Sequence, residues 1–140
     1  MRYMLDTCAF LYLANDDDLL DKRVADILFD PENVLCISAE TGRELVVGFN
    51  SHKFESKKWK SSNDILSYIE HDLGIQILPV DKKVIETYSK LKLNDSQDHR
   101  DPSDHIIISH AITLKIPLIT SDRKFPFYEK QGLQLIMNSK

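Results

Sequence analysis

The sequence has few cysteines, few glycines and no long hydrophobic run. Its 140 residues include only two cysteines, Cys8 and Cys36, and four glycines. Two thiols are too few for the disulfide scaffold of a small secreted domain, and since both lie in apolar segments we expect them to be buried and reduced. Four glycines exclude a glycine-rich phosphate-binding loop. Because we find neither the apolar core of a signal peptide nor a membrane-spanning run, we expect a cytoplasmic protein.

Several motifs of well-known enzyme classes are also absent. There is no HExxH, CxxC or EF-hand pattern, and no GxSxG pattern marks a nucleophilic serine. The net charge is -4, from 22 acidic residues against 18 Lys and Arg, whereas proteins that bind nucleic acids are usually basic. A nuclease escapes that objection when bound metal ions supply positive charge that the formal count omits.

What the sequence does contain is an alternation of short apolar segments with helical patterns. We predict strands at 2–5, 34–37, 75–80, 117–120 and 133–137. We predict helices at 7–14, from 16 to about 29, at 39–49, 59–73, 84–91 and 102–114, with Ser38 and Asp81 as N-caps. This alternation, with uniformly apolar strands, predicts one α/β domain over residues 1–140, with a mainly parallel central sheet of four to five strands flanked by helices.

Acidic side chains follow two of the predicted strands. Asp6 comes directly after the first strand, and Asp122 follows the fourth. Both are therefore expected at the carboxyl edge of the sheet, where open parallel sheets bind their ligands. One acid in that place is explained by a simple helix cap. Two adjacent acids would repel each other unless a cation compensates their charge.

Further acids lie on two of the predicted helices. Glu40 and Glu44 are four residues apart on the same helix face, and Asp101 and Asp104 begin the last helix, so periodicity alone does not choose within either pair. Gly42 costs up to ~1 kcal/mol relative to alanine inside a helix, which predicts a close approach to it. Clustered carboxylates without cysteine or paired histidine favour Mg²⁺ or Mn²⁺, and such ions would activate a water and stabilise the charge on a phosphodiester.

Four segments, in order along nearly the whole chain, resemble the motifs of the PIN-domain ribonucleases, and most closely those of the VapC-like toxins of toxin–antitoxin pairs. The segments are Met4-Leu5-Asp6-Thr7, Ile37-Ser38-Ala39 through Glu44-Leu45, His99 to Asp104 with Ile106 to Ala111, and Leu118 to Asp122 with Phe125. In the family the second acid falls six residues after the serine, which selects Glu44. In one large subgroup the third acid falls seven residues before the alanine, which selects Asp104.

The resemblance implies a PIN-like fold and an endoribonuclease that depends on one or two Mg²⁺ or Mn²⁺ ions. It also implies a homodimer that a cognate antitoxin silences. It assigns catalysis and metal binding, directly or through water, to Asp6, Glu44, Asp104 and Asp122. Asp101 belongs to the subgroup's pattern and is a further candidate ligand.

Positive charge near the acids is needed to bind phosphate groups. The candidates for RNA binding are Arg100, Arg123, Lys53, Lys57 and Lys58. Phe54 and Trp59 lie among these lysines, and they either stack on unpaired bases or belong to a solvated connection with Trp59 in the core. We expect hydrogen-bonding roles for His99 and His105.

Two other functions fit parts of the pattern. A flap-type DNA nuclease would use the same acid cluster, and cleavage of RNA compared with flap DNA separates the two. A non-catalytic, receiver-like regulatory module would need an aspartate after the third strand and a lysine after the last. Asp81 meets the first condition, but Lys130 precedes the fifth strand, so we rank this function lower.

Overall fold

Five short strands form a single sheet in which every neighbouring pair is parallel. The computed structural model describes all residues from 1 to 140. The strands, in the spatial order β3-β2-β1-β4-β5, are β1 (Arg2–Leu5), β2 (Val34–Ser38), β3 (Gln76–Leu78), β4 (Leu118–Thr120) and β5 (Leu135–Met137). The predicted α/β fold is confirmed. Strand order reverses between β1 and β4, so a ligand crevice is expected at their carboxyl ends.

Six α-helices connect these strands. They are α1 (Thr7–Asn15), α2 (Lys22–Leu28), α3 (Ala39–Asn50), α4 (Ser62–Ser67), α5 (Lys82–Lys90) and α6 (Pro102–Leu114). A π-helical stretch, Tyr68–Asp72, continues α4, and short 3-10 helices lie at Asp17–Leu19, Asp95–Gln97 and Phe125–Gln131. Ser38 and Asp81 cap α3 and α5 through their side chains, as predicted. None of the helices is long and apolar enough to cross a membrane.

Two helices begin later than their sequence patterns indicate. The predicted second helix starts with a separate 3-10 helix, and α2 begins only after Asp21, whose carboxylate accepts the Val24 N–H at 2.8 Å. The predicted fourth helix begins only after Ser61, which forms a capping box with Asp64. The third and fifth strands are also shorter than predicted. In both helices a local cap, rather than the apolar pattern, determines the first residue.

The sheet separates two hydrophobic cores. Successive residues of a strand point to opposite faces, so β1 supplies Leu5 to one core and Met4 to the other. The first core contains 14 buried residues and includes side chains of α1, α2, α3 and α4. The second contains 10 buried residues, including Cys36 and side chains of α6. Burial of Cys36 is as predicted.

Three further predictions about single side chains have different outcomes. Cys8 is exposed, so its predicted burial is wrong, because α1 starts at the carboxyl edge of the sheet and Cys8 faces the opening there. Trp59 is only 4% exposed and packs edge-to-face against Phe49, so it belongs to the core and is not free to stack on a base. A Cβ at Gly42 would lie 3.3 Å from Leu66, which confirms the predicted close approach.

Candidate active site

An open cavity of about 440 Å³ lies at the carboxyl edge of β1 and β4, where α1 and α6 begin. The carboxylates that line it are the five that the sequence singles out, namely Asp6, Glu44, Asp101, Asp104 and Asp122. The other lining residues are Thr7, Cys8, Tyr12, Lys53, Phe54 and Ser121. Acidic side chains from two strand ends and two helices therefore meet in one place.

Asp6 is held rigidly at the end of β1. Its Oδ1 accepts the Ala9 N–H at 2.8 Å, which caps α1, and its Oδ2 accepts a hydrogen bond from the Thr120 hydroxyl of β4. The side chain is 4% exposed. Burial raises the pKa of Asp6 to about 7, and the charges of Asp104 and Asp122 also raise it, although the two hydrogen bonds oppose this. Asp6 is thus a buried acid whose charged form is disfavoured in the metal-free protein.

Asp104 lies in the first turn of α6, where its Oδ2 is 3.0 Å from Nε2 of His99. Burial, and then the charges of the neighbouring carboxylates, raise the pKa of Asp104 to about 7. Burial lowers the pKa of His99, which favours a neutral ring. One ligand atom from each of His99, Asp104 and Asp122 lies within 4.8 Å of the other two, so these residues are a candidate metal-binding group.

The structure distinguishes Glu44 from Glu40, which the helix period does not. Glu44 lines the cavity, and its Oε1 accepts a hydrogen bond from the Thr7 hydroxyl. Glu40 is instead occupied by Arg43, at 2.6 Å, and by the Ser103 hydroxyl, also at 2.6 Å. Burial alone would raise the pKa of Glu40, but these hydrogen bonds lower it. Only Glu44 therefore presents its carboxylate to the cavity.

The remaining two acids are held by local backbone groups. Asp122 is half-buried, and its Oδ1 accepts the Lys124 N–H at 2.8 Å. Asp101 is exposed and caps α6 by accepting the Ser103 N–H at 3.0 Å. A cap directs the carboxylate of Asp101 toward its own helix, yet it still lines the cavity.

The acid cluster has no Lys or Arg side chain as an ion-pair partner, and its one paired acid is Asp104, beside His99. Three of the acids have one oxygen bonded within the protein and the other without a protein partner. The free atoms are Oε2 of Glu44, Oδ1 of Asp104 and Oδ2 of Asp122. Burial and the neighbouring carboxylates raise the pKa of the lining thiol, Cys8, to about 11, which keeps it neutral. Several carboxylate oxygens without a thiolate suit Mg²⁺ or Mn²⁺, so the residues present fit such a cation.

Two of the predicted RNA-binding residues lie in or near the cavity. Lys53 lines it, with its ammonium 5.3 Å from the centre of the Phe54 ring. Arg100 is exposed one residue before Asp101, and its Nε contacts Asp98 at 2.6 Å. An exposed ion pair of this kind is weak and exchanges readily with phosphate. Lys53 is the cation that the structure places inside the cavity.

The other predicted cations lie outside the cavity. Lys57 is exposed in a neighbouring open pocket. Lys58 donates a hydrogen bond to the Ala14 carbonyl at 3.0 Å and lies over the Tyr68 ring, so it contributes to the end of α1. Arg123 lines a separate pocket formed with the C-terminal residues. The structure therefore does not gather these three cations around the acids.

Several side chains around the cavity are not singled out by the sequence. Thr7 and Thr120 donate hydrogen bonds to acids of the cluster, and Lys124 offsets part of the rise in the pKa of Asp104 that burial causes. Both threonines lie within two residues of a strand-end acid, and that proximity is a signal that could have marked them. Lys124 also lies two residues from Asp122, so the same signal could have marked it.

The chain is similar to known proteins over nearly its whole length. Residues 3–131 match the family model described as PIN domain. A chain of VapBC2 from Rickettsia felis, solved with a DNA fragment from its promoter, is 25% identical, with a TM-score of 0.71 and 98% of each chain covered. A chain of VapBC-1 from nontypeable Haemophilus influenzae is 24% identical, with a TM-score of 0.71 and 100% of each chain covered. VapBC-5 from Mycobacterium tuberculosis is 21% identical, with a TM-score of 0.66 and coverage of 97% of this chain and 98% of that one. The chain matches no curated protein sequence.

Proposed function

Since the chain belongs to the PIN domain family, we propose that it is a Mg²⁺- or Mn²⁺-dependent endoribonuclease and the toxin of a toxin–antitoxin pair. Family membership and the shared fold support the general assignment as a nuclease. The metal, the RNA substrate and the toxin role are finer proposals. The observation that carries the metal-dependent nuclease is the cluster of five carboxylates, without a Lys or Arg partner, in one open cavity.

The residues proposed to hold the cation are Asp6, Glu44, Asp104 and Asp122, with Asp101 as a further candidate. A divalent cation in such a site lowers the pKa of a bound water and offsets the charge that develops on a phosphodiester. The chain's own contribution is to orient the acids before substrate arrives. Thr120 holds Asp6 and Thr7 holds Glu44, so each carboxylate has a defined direction toward the cavity.

The choice of RNA over DNA follows from the resemblance of the four motifs to ribonucleases. Lys53 within the cavity and Arg100 beside it support binding of a phosphate backbone. Phe54 lines the cavity beneath Lys53 and offers a ring on which a base can stack. An unpaired strand presents both its phosphates and its bases, so we propose single-stranded segments of RNA as the substrate.

Cleavage assays with matched nucleic acids test the metal and the substrate together. The protein is freed of metal with EDTA and then incubated with a single-stranded RNA, the same sequence as DNA, and a flap DNA, with or without Mg²⁺ or Mn²⁺. We expect internal cleavage of the RNA only when the cation is present. Cleavage of flap DNA alone would replace the proposal with the DNA nuclease, and equal cleavage in EDTA would contradict the metal dependence.

Two substitutions on the same helix give a matched control for the site. Glu44→Gln removes a cavity carboxylate, and Glu40→Gln removes a carboxylate that contacts Arg43 and Ser103 instead. We expect Glu44→Gln and Asp6→Asn to lower the cleavage rate by about 100-fold or more, since even indirect partners of a metal are worth roughly 10–100-fold. Glu40→Gln should stay within a few-fold of the parent chain. Full activity in Asp6→Asn would refute the assignment.

The partners are also proposed by extension from the relatives. One relative is described as a member of the VapBC family of toxin–antitoxin systems, and another was solved bound to promoter DNA. We propose a homodimer that binds a small antitoxin encoded in the neighbouring reading frame. Co-expression of that frame should yield a stable complex that no longer cleaves RNA. Sedimentation of the chain alone tests the dimer.

A further inference from the structure

We propose that His99 is a positioning residue that holds Asp104 through its Nε2–H, and that Tyr128 determines the tautomer in which it does so. The inference rests on the proposed function, because it takes the acid cavity as the site of a divalent cation. It adds two residues that do not line the cavity. His99 is 2% exposed and Tyr128 is fully buried, so neither is placed to contact solvent or substrate freely.

A continuous chain of polar contacts runs from the backbone to the acid cluster. The Asn94 N–H donates to the Tyr128 hydroxyl at 3.1 Å. That hydroxyl lies 2.9 Å from Nδ1 of His99, and Nε2 of the same ring lies 3.0 Å from Oδ2 of Asp104. The His105 ring, 3.0 Å from the His99 carbonyl through its Nε2, fixes the backbone at the centre of the chain. The His99 ring is thus fixed by Tyr128 on one side and Asp104 on the other, and its backbone by His105.

The hydrogen bonds that the Tyr128 hydroxyl can make select one tautomer of His99. The Tyr128 oxygen already accepts from Asn94, and its single proton needs an acceptor because the side chain is buried. Nδ1 of His99 is the acceptor within reach. The imidazole proton then resides on Nε2, where it donates to Asp104. The opposite tautomer would leave the buried phenol proton without an acceptor.

This tautomer gives the two oxygens of Asp104 different roles. Oδ2 is occupied by the imidazole N–H, and Oδ1 has no partner in the protein. Asp104 therefore presents one oxygen to a cation with its carboxylate plane already oriented. The competing arrangement makes Nε2 of His99 itself a ligand beside Asp104 and Asp122, since their ligand atoms lie within 4.8 Å of one another. The two arrangements differ in where the proton sits and in which metals they favour.

The tautomer is measured on the intact metal-free protein. Long-range ¹H–¹⁵N correlation spectra of histidine-labelled protein distinguish a ring protonated at Nε2 from one protonated at Nδ1. We expect the Nε2–H form for His99 in the parent chain and a mixture of tautomers in Tyr128→Phe. A parent ring protonated at Nδ1 overturns the proposal. Because this readout uses the parent chain, it stands even where a substitution at His99 unfolds the protein.

Metal affinity separates positioning from direct coordination. Free Mn²⁺ is measured by electron paramagnetic resonance, and Zn²⁺ by competition with a chelating dye. We expect His99→Ala to weaken the binding of Mn²⁺ and of Zn²⁺ by a similar factor of roughly 10–100. We expect His99→Gln to recover most of the Mn²⁺ affinity, because its amide N–H can still donate to Asp104. If His99 were a direct nitrogen ligand, His99→Ala would lose far more affinity for Zn²⁺ than for Mn²⁺, since imidazole suits zinc better. His99→Gln would then not restore the Zn²⁺ affinity.

Another buried histidine, which lies in α6, provides the control for His99. His110 is 1% exposed and contacts Ser38 rather than a carboxylate of the cavity. His110→Ala should lose stability in urea yet bind Mn²⁺ within about twofold of the parent. Equal Mn²⁺ affinity in the parent chain and His99→Ala overturns the inference even if the chain cleaves RNA. Conversely, a parent chain that binds Mn²⁺ and passes both tests but leaves RNA intact removes the proposed function and keeps the positioning role.

Discussion

The acid cavity should make the metal-free protein less stable as the pH rises, and Asp6 is the residue that tests this most directly. Its side chain is buried beside Asp104 and Asp122, and no Lys or Arg pairs with it. Asn in its place keeps the same shape. Its amide oxygen can accept the Ala9 N–H, and its amide nitrogen can donate to the Thr120 oxygen. Asp6→Asn therefore removes the charge and keeps a hydrogen bond to each partner, with the direction of the one to Thr120 reversed.

The sign and size of the effect follow from the shift in pKa. The Asp6 carboxyl has an ordinary pKa of 3.8 and a folded-state value of about 7. Between these values the folded state keeps a proton that the unfolded state has released. The free energy of unfolding therefore falls as the pH rises from about 4 to about 7, and levels off above that. A shift of about three units at about 1.4 kcal/mol each makes the loss about 4 kcal/mol, out of a typical total of roughly 5–15 kcal/mol.

Urea unfolding followed by the fluorescence of the single tryptophan measures this loss. Trp59 is buried, so its emission changes when the core opens. The parent chain and Asp6→Asn are compared in EDTA between pH 4.5 and 8. We expect the free energy of unfolding of Asp6→Asn, relative to that of the parent, to increase by up to about 4 kcal/mol as the pH rises to 8. Adding Mg²⁺ at pH 8 should stabilise the parent more than the variant.

An exposed acid gives the matched comparison. Asp72 is exposed and does not line the cavity. The free energy of unfolding of Asp72→Asn should therefore match that of the parent at every pH. A difference between the parent and Asp6→Asn that stays constant with pH would refute the reasoning. So would a metal-free parent whose stability rises steadily from pH 4.5 to 8.

Three further predictions concern the surroundings of the cavity. Thr7→Val removes the hydrogen bond to Glu44, so RNA cleavage should fall by about tenfold, and unchanged rates would contradict the orienting role. A Cβ at Gly48 would overlap the Phe54 ring, so Gly48→Ala should cost roughly 1–3 kcal/mol in urea unfolding and weaken RNA binding, whereas parent-like stability would show that Phe54 is free to move. Lys53→Ala should reduce the slope of log affinity for RNA against log salt by about one, measured by fluorescence anisotropy, and an unaltered slope would remove Lys53 from the phosphate contacts.

The general fold and the convergence of the strand-end acids can be predicted from sequence for one geometric reason. Parallel strands bring their carboxyl ends to the same edge, so residues that directly follow buried strands must approach each other. Asp6 and Asp122 need nothing else to be placed together. The short apolar segments also indicate where strands lie, because a parallel sheet covered on both faces requires them, although the bounds of β3 and β5 are not predicted correctly.

Helix registers and side-chain partners are harder to predict because they depend on distant residues. The choice of Glu44 over Glu40 involves Ser103, which lies 63 positions from Glu40 in sequence and occupies its carboxylate. Trp59 has the same sequence context whether it stacks on RNA or enters the core. In the folded chain Trp59 packs edge-to-face against Phe49 of α3 and Tyr68 of the π-helical stretch, and these contacts bury it. The late start of α2 depends on Asp21, whose cap competes with the helical pattern of the preceding acids.

Two helix N-termini offset part of the cost of gathering the acids at the cavity. Asp6 caps α1, Asp101 caps α6, and Asp104 lies in the first turn of α6. The N-terminal end of a helix carries partial positive charge, which stabilises carboxylates in its first turn by roughly 0.3–1 kcal/mol each. That stabilisation is smaller than the roughly 4 kcal/mol by which ionisation of buried Asp6 destabilises the fold, so the helix dipoles offset only part of this cost. Asp6 and Asp101 therefore have a structural role as caps and a proposed chemical role as ligands, and a substitution that preserves the cap is needed to separate the two.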